Sequence, residues 1–126
     1  MEEQEAWMDG HGGRYPIIVA SIDGEPVGWG SLSAHNERYC YRNTAEDSVY
    51  VRSDLRGRGI GTRILEVLVG EARRSGYHAL IARIDAGNEA SIAIHAAAGF
   101  GEVGRLREVG YKFGRWLDVV LMELLL

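Results

Sequence analysis

Gly57, Gly59 and Gly61 stand at alternate positions in the run Ser48-Val49-Tyr50-Val51-Arg52-Ser53-Asp54-Leu55-Arg56-Gly57-Arg58-Gly59-Ile60-Gly61-Thr62. Glycine carries no Cβ, so such a loop lets main-chain amides come close to a ligand. From its end onward Ile60, Ile64, Leu65, Leu68 and Ala72 recur at helical spacing. The first N–H groups of a helix have no intrahelical partner and together carry about half a positive charge. That is an anion site, and phosphate is the anion it fits best. Arg52, Arg56, Arg58 and Arg63 surround it with only Asp54 opposed, and the planar guanidinium fork suits phosphate. On these residues alone, a glycine-rich turn beneath a solvated basic face stands beside that reading. Two other phosphate loops are excluded. A Walker loop needs a Gly-Lys-Ser/Thr ending, and no lysine occurs here. A dinucleotide fingerprint needs G-x-G-x-x-G, whereas this run reads G-x-G-x-G.

The elements that must position this loop are legible on both sides of it. Ser48–Val51 alternates polar and apolar, and a central strand is expected from about Ala45 to Val51. The helix that opens at the loop should stop at Ser75-Gly76. Upstream, Ile17–Ile22 and Val27–Leu32 read as a hairpin around Asp23-Gly24-Glu25, with Gly28 and Gly30 marking a close approach of another backbone or a ligand. A polar, aromatic loop covers residues 35–44. Downstream, His78–Ile84 reads as a strand, and Asn88-Glu89-Ala90-Ser91 opens a second helix ending at Ala98-Gly99. Phe100–Leu106 and Leu117–Leu125 form a last antiparallel pair around residues 110–115. Residues 1 to about 8 read as the end of an amphipathic helix, broken at His11-Gly12-Gly13. Strands before and after both helices imply an α/β mixed sheet with helices on its faces.

Composition bounds the function. The 126 residues make one domain, 1–126. A net charge of −4 supplies no global field for nucleic acid, so any attraction for a polyanion is local. Cys40 is the only cysteine, which excludes an intramolecular disulfide and a cysteine zinc site, and no metal is expected. The apolar Val119–Leu126 stretch is too short to span a bilayer, and a cytoplasmic protein without a membrane partner is expected.

The order strand, Arg56-x-x-Gly59-x-Gly61, helix resembles the pyrophosphate loop of the GNAT family of N-acetyltransferases. Two further stretches, residues 41–51 and 109–119, resemble that family's phosphinothricin and methionine sulfoximine acetyltransferase branch. The resemblance covers nearly the whole chain and implies the GNAT acyl-CoA N-acyltransferase fold, here lacking the first strand and helix that usually precede this segment. It also implies acetyl-CoA as cosubstrate, a small primary amine, an amino acid or analogue, as acceptor, and a homodimer. The missing strand leaves Ile17–Ile22 as an exposed edge, for a homodimer or an exchange of elements between subunits to cover.

Roles follow from the resemblance position by position. Arg56, Gly57, Arg58, Gly59, Ile60, Gly61 and Thr62 hold the pyrophosphate. Val49, Tyr50 and Val51 line the path of the pantetheine arm, Val49 and Val51 through main-chain groups where two parallel strands splay. Asn88 contacts that arm, caps the second helix, or does both. Glu46 is the candidate general base. His95, mid-helix among Ala and Ile, packs in the core or relays a proton. Arg38 and Arg42, flanking Tyr39 and Tyr41, suit recognition of a carboxylate on the acceptor. Two other readings remain beside this one. The same chemistry could serve a drug amine or a protein N-terminus, and the domain could be a non-catalytic acyl-CoA-binding or dimeric scaffold.

Overall fold

In the computed structural model, which describes the backbone of Met8–Asp9 and residues 15–126, seven strands form one sheet. They are β1 (Met8–Asp9), β2 (Ile17–Ile22), β3 (Glu25–Ala34), β4 (Thr44–Val51), β5 (Ala79–Asp85), β6 (Gly101–Lys112) and β7 (Arg115–Leu125). Their order across the sheet is β1-β2-β3-β4-β5-β7-β6, and only β4 and β5 run parallel. Two helices, α1 (Ile60–Arg74) and α2 (Glu89–Ala97), connect β4 to β5 and β5 to β6. This is the mixed sheet expected from the sequence.

The core is one-sided. Ile60, Ile64, Leu65, Leu68 and Ala72, the stripe read from the sequence, are all buried, and Val69 joins them. They press on Ile18, Ala20, Leu32, Ala45 and Leu80, whose side chains share one face of the sheet. Each fully buried Ile or Leu stabilises the fold by about 1.5–3 kcal/mol. Both described helices pack on this same face. On the opposite face Trp29 and Tyr50 stack at 4.4 Å between ring centroids while staying about half exposed. Among the described residues the helices flank the sheet on its core face.

Gly28 and Gly30 lie against the protein itself, not against a ligand. A Cβ on Gly30 would sit 2.5 Å from Ile64 Cγ2, and one on Gly28 2.6 Å from the Tyr50 carbonyl oxygen. A neighbouring strand's backbone cannot yield as a side-chain tip can. Gly28→Ala is therefore expected to destabilise the protein by about 1–3 kcal/mol, read as a lower urea midpoint with an unchanged slope.

Three local expectations are corrected. Met8–Asp9 pairs with Val19 and Ile18 as a strand, not a helix end, because the β2 edge carries backbone groups that need partners. The β2 edge is thus partly covered; the rest of the helix reading and the His11-Gly12-Gly13 break lie outside the described residues. The last hairpin turns at Phe113-Gly114, both at positive φ, so β6 runs much longer than expected and β7 starts two residues earlier. A bulge at Glu108 (φ 54) makes the extra length possible, and its N–H donates to Asp118 Oδ1 at 2.9 Å.

Candidate functional site

The loop behaves as its glycines suggest. Gly57 and Gly59 take φ of +83° and +79°, and nothing lies within 4 Å of where their Cβ atoms would be. Gly59 is the N-cap of α1 and no side chain caps the helix. The first intrahelical bond runs from Arg63 N–H to the Gly59 carbonyl at 3.0 Å. The amides ahead of Arg63 therefore have no partner within the helix. A cradle of bare backbone with uncapped donors fits a diphosphate.

A cavity of about 350 Å³ opens at this point. Ten of the eleven residues assigned to the cofactor line it: Val49, Tyr50, Val51, Arg56, Gly57, Gly59, Ile60, Gly61, Thr62 and Asn88. Arg58 is exposed and does not line it, and Leu55 and Ala90, given no role from the sequence, do. Of the four arginines, Arg52 is committed elsewhere. Its Nε and Nη2 fork the Asp54 carboxylate at 2.7 and 3.0 Å, and Nη1 reaches Glu25 at 3.5 Å. The Arg52 hydrogen bond holds the Asp54 carboxyl below its ordinary range. This pair ties down the approach to the loop and leaves Arg56 as the guanidinium in the cavity wall.

β4 and β5 are paired only at Thr44–Ala79, Ala45–Leu80 and Glu46–Ile81, and beyond that point the strands separate. Main-chain groups of alternate residues point to opposite sides of a strand. The Asn43 carbonyl accepts from His78 and Ala79 on the β5 side, while Arg52 N–H donates to Val27 on the β3 side. Odd-numbered residues of β4 thus face β5, and the main-chain groups of Val49 and Val51 open into the splay. A crevice of about 160 Å³ fills the gap.

The side chains beside the gap fall on two faces. Glu46 lies on the open face, its side chain 19% exposed. His35 Nδ1 donates to Glu46 Oε2 at 2.8 Å, and Arg83 Nε reaches its two oxygens at 3.2 and 3.3 Å. Neither His35 nor Arg83 was given a role from the sequence. They meet Glu46 only through the β3–β4 and β4–β5 registers, which no local spacing reveals.

Asp47 lies on the core face and is paired with His95 of α2, Nε2 to Oδ2 at 2.7 Å. His95 Nδ1 meets the Ser91 carbonyl at 2.8 Å, and the Phe100 ring stands edge-on at 4.9 Å. Both ring nitrogens face acceptors, and only the imidazolium donates from both. Burial on its own lowers the histidine's pKa, but the Asp47 hydrogen bond and charge and the Ser91 carbonyl together raise it above the ordinary 6.5. The folded state thus holds this proton more tightly than the unfolded one. The stabilisation is complete below the unfolded pKa of about 6.5 and is lost as pH rises through the higher folded value. Urea midpoints should accordingly fall as pH rises above about 6.5, and His95→Gln should flatten that slope.

Asn88 caps α2, its Oδ1 accepting from Ser91 N–H at 3.1 Å, and it also lines the 350 Å³ cavity. Capping and an exposed cavity position are therefore compatible. On the open face, a wide cleft of about 750 Å³ brings together Arg38, Tyr39 and Arg42 with Ser31 and Ser33 of β3. The Arg42 guanidinium stacks 3.9 Å from the Tyr39 ring centroid, and its Nη1 donates to the Tyr39 carbonyl at 3.1 Å. Tyr41 does not line the cleft. It stands edge-on to His35 at 6.2 Å, beside the group that holds Glu46. Cys40 is exposed in the short 3-10 turn between them. Among the described residues no cluster of His, Cys, Asp and Glu could hold a metal ion, and no helix is long and apolar enough to cross a membrane.

The model of the acetyltransferase (GNAT) family matches residues 1–100. The chain is 43% identical over 126 positions to the L-methionine sulfoximine/L-methionine sulfone acetyltransferase of Pseudomonas paraeruginosa, covering 98% of this chain and 73% of that protein. It is 39% identical over 110 positions to an L-amino acid N-acyltransferase of Escherichia coli, spanning 87% of this chain and 64% of the relative. The crystal structure of a phosphinothricin acetyltransferase from Sinorhizobium meliloti, in complex with AcCoA, superimposes with a TM-score of 0.86 at 40% identity. That match covers 89% of this chain and 61% of the other.

Proposed function

This chain belongs to the acetyltransferase (GNAT) family, and we propose that it transfers the acetyl group of acetyl-CoA directly to the primary amine of an amino acid or close analogue. The observation that carries the reading is the continuity of the phosphate cradle at the α1 N-terminus with the splay between β4 and β5. The cradle and the splay crevice share Val49, Asn88 and Ser91. A nucleotide diphosphate held at Gly57–Thr62 would lay its thioester tail beside Glu46.

In this scheme the loop amides and Arg56 bind the diphosphate, and the Val49 and Val51 main chain holds the arm. Glu46 takes the proton of the acceptor ammonium, directly or through water, with His35 and Arg83 fixing the carboxylate's orientation. The free amine attacks the thioester carbonyl, the C–N bond forms, the C–S bond breaks, and coenzyme A leaves as a thiolate that ends as the thiol with the proton the nitrogen sheds on acylation. Main-chain N–H groups facing the splay stabilise the oxyanion, each donor contributing about 3 kcal/mol. No acyl-enzyme is formed, and exposed Cys40 takes no part. Arg38 and Arg42 grip the acceptor's carboxylate from the open cleft. Among the described residues Arg38 has no ion-pair partner, which leaves its fork for a ligand.

The protein works in the cytoplasm as a homodimer, and Val109, Tyr111, Phe113 and Trp116 of the long β6–β7 hairpin, all more than half exposed, are the surface that a second copy covers. Sedimentation at micromolar concentration tests that assembly.

Calorimetric titration of coenzyme A, paired with a thiol-release assay over a panel of amino acids, analogues, drug amines and peptides, tests the activity. Turnover confined to small carboxylate-bearing amines is the expected result. Binding with no turnover on any amine would leave the non-catalytic scaffold reading standing instead.

A further inference from the structure

Among the described residues, one buried side-chain nitrogen or oxygen lacks a hydrogen-bond partner, and it is Asp47 Oδ1. The Asp47 side chain is 1% exposed, and its other oxygen is taken by His95. A carboxylate oxygen withdrawn from water without a donor is costly, so such an atom calls for an explanation. Asp47 lines the crevice between β4 and β5, where Val49, Ala82 and Ile84 stand among polar Ser48, Arg83, Asn88 and Ser91. What fills the crevice must therefore be slender and equipped with a donor.

The source of that donor follows from topology. Successive side chains of β4 alternate, so Asp47 lies on the core face and Glu46 on the open face. The acceptor amine, brought in beside Glu46, is on the wrong side of the sheet to reach Asp47. The tail of a nucleotide bound at Gly57–Thr62 is on the right side, because the two cavities are contiguous. The arm of coenzyme A is an extended chain with two secondary amides, and each has an N–H to give.

We propose that Asp47 is a binding residue for the acyl-CoA arm, its free oxygen accepting an amide N–H of that arm within the crevice. This rests on the acetyl-transfer reading and adds to it a side-chain contact beyond the main-chain ones. Hydrogen bonds to charged acceptors are stronger than neutral ones. The carboxylate thus selects a donor-bearing arm over the bare nucleotide.

Calorimetric titrations of coenzyme A and of ADP, which keeps a nucleotide diphosphate but lacks the arm, test this in wild type, Asp47→Ala and Asp47→Asn. Asp47→Ala should weaken coenzyme A by about tenfold or more and leave ADP within about twofold. Asp47→Asn keeps an acceptor oxygen and should stay within about threefold of wild type for coenzyme A. Should the alanine variant fail to fold, Asp47→Val, which has no side-chain acceptor and is closer to aspartate in volume than leucine, takes its place with the same expectation. Equal losses for coenzyme A and ADP would overturn the proposal, since Asp47 would then act through the fold. No loss for either would also overturn it, with water as the donor. Wild-type protein that binds ADP, and coenzyme A no more tightly, would sink this proposal and leave the acetyl-transfer reading. Wild-type protein that binds neither would sink both.

Discussion

Gly59→Glu is expected to abolish acetyl-CoA binding, with affinity falling by about 100-fold or more while the protein stays folded. The residue's φ of +79° puts any L side chain under strain, but the Cβ itself meets nothing within 4 Å. The strain costs about 1 kcal/mol, which the fold survives. The ligand does not escape so easily. The new side chain lies at the uncapped start of α1, where the amides ahead of Arg63 converge. Its carboxylate competes for those donors as an internal N-cap, and its charge repels a diphosphate at close range. Titration of coenzyme A, with a thermal melt as the folding control, reads both halves. Retained affinity in the folded variant would remove the loop as the diphosphate site.

Glu46→Gln is expected to lower kcat by about 10²–10⁴-fold, the usual worth of a positioned base, with little change in the affinity for coenzyme A. Glutamine keeps the shape and can still accept from His35 and Arg83, so the open face should not rearrange. What it loses is the ability to take a proton from the acceptor ammonium. The deficit should shrink toward high pH, where the amine is already unprotonated, and that pH profile separates a base from a mere acceptor-positioning group. Unchanged turnover would remove Glu46 from the chemistry.

The loop, the central strand and the apolar stripe of α1 were legible because each is a local pattern. Glycine at every second position, a period near two and a period near 3.6 need no tertiary information. Asn88 was readable for the same reason, since a cap depends on residues three apart. What escaped were pairings that register creates. His35 and Arg83 reach Glu46 across 11 and 37 positions of chain, and Asp47 reaches His95 across 48. Strand alternation put Asp47 on the side opposite Glu46, but nothing local says which histidine stands opposite. The arginine cluster misled in part. Charge counting gave four arginines to the anion, whereas Arg52 is spent on Asp54 and Glu25 two residues and one hairpin away. The long last hairpin was underestimated because its bulge rests on Asp118, ten residues from the Glu108 amide that it holds.

A gap that runs right through a sheet has two mouths. Here one lies beneath the helices beside His95 and the other on the open face beside Glu46, the face that also carries the Arg38–Arg42 cleft. Residues around the outer mouth can be exchanged for others without touching the nucleotide side, so preference for the amine is free to drift while the donor stays fixed. A catalyst divided in this way is easily retrained, and the place to begin is the rim that bears Arg38, Tyr39 and Arg42.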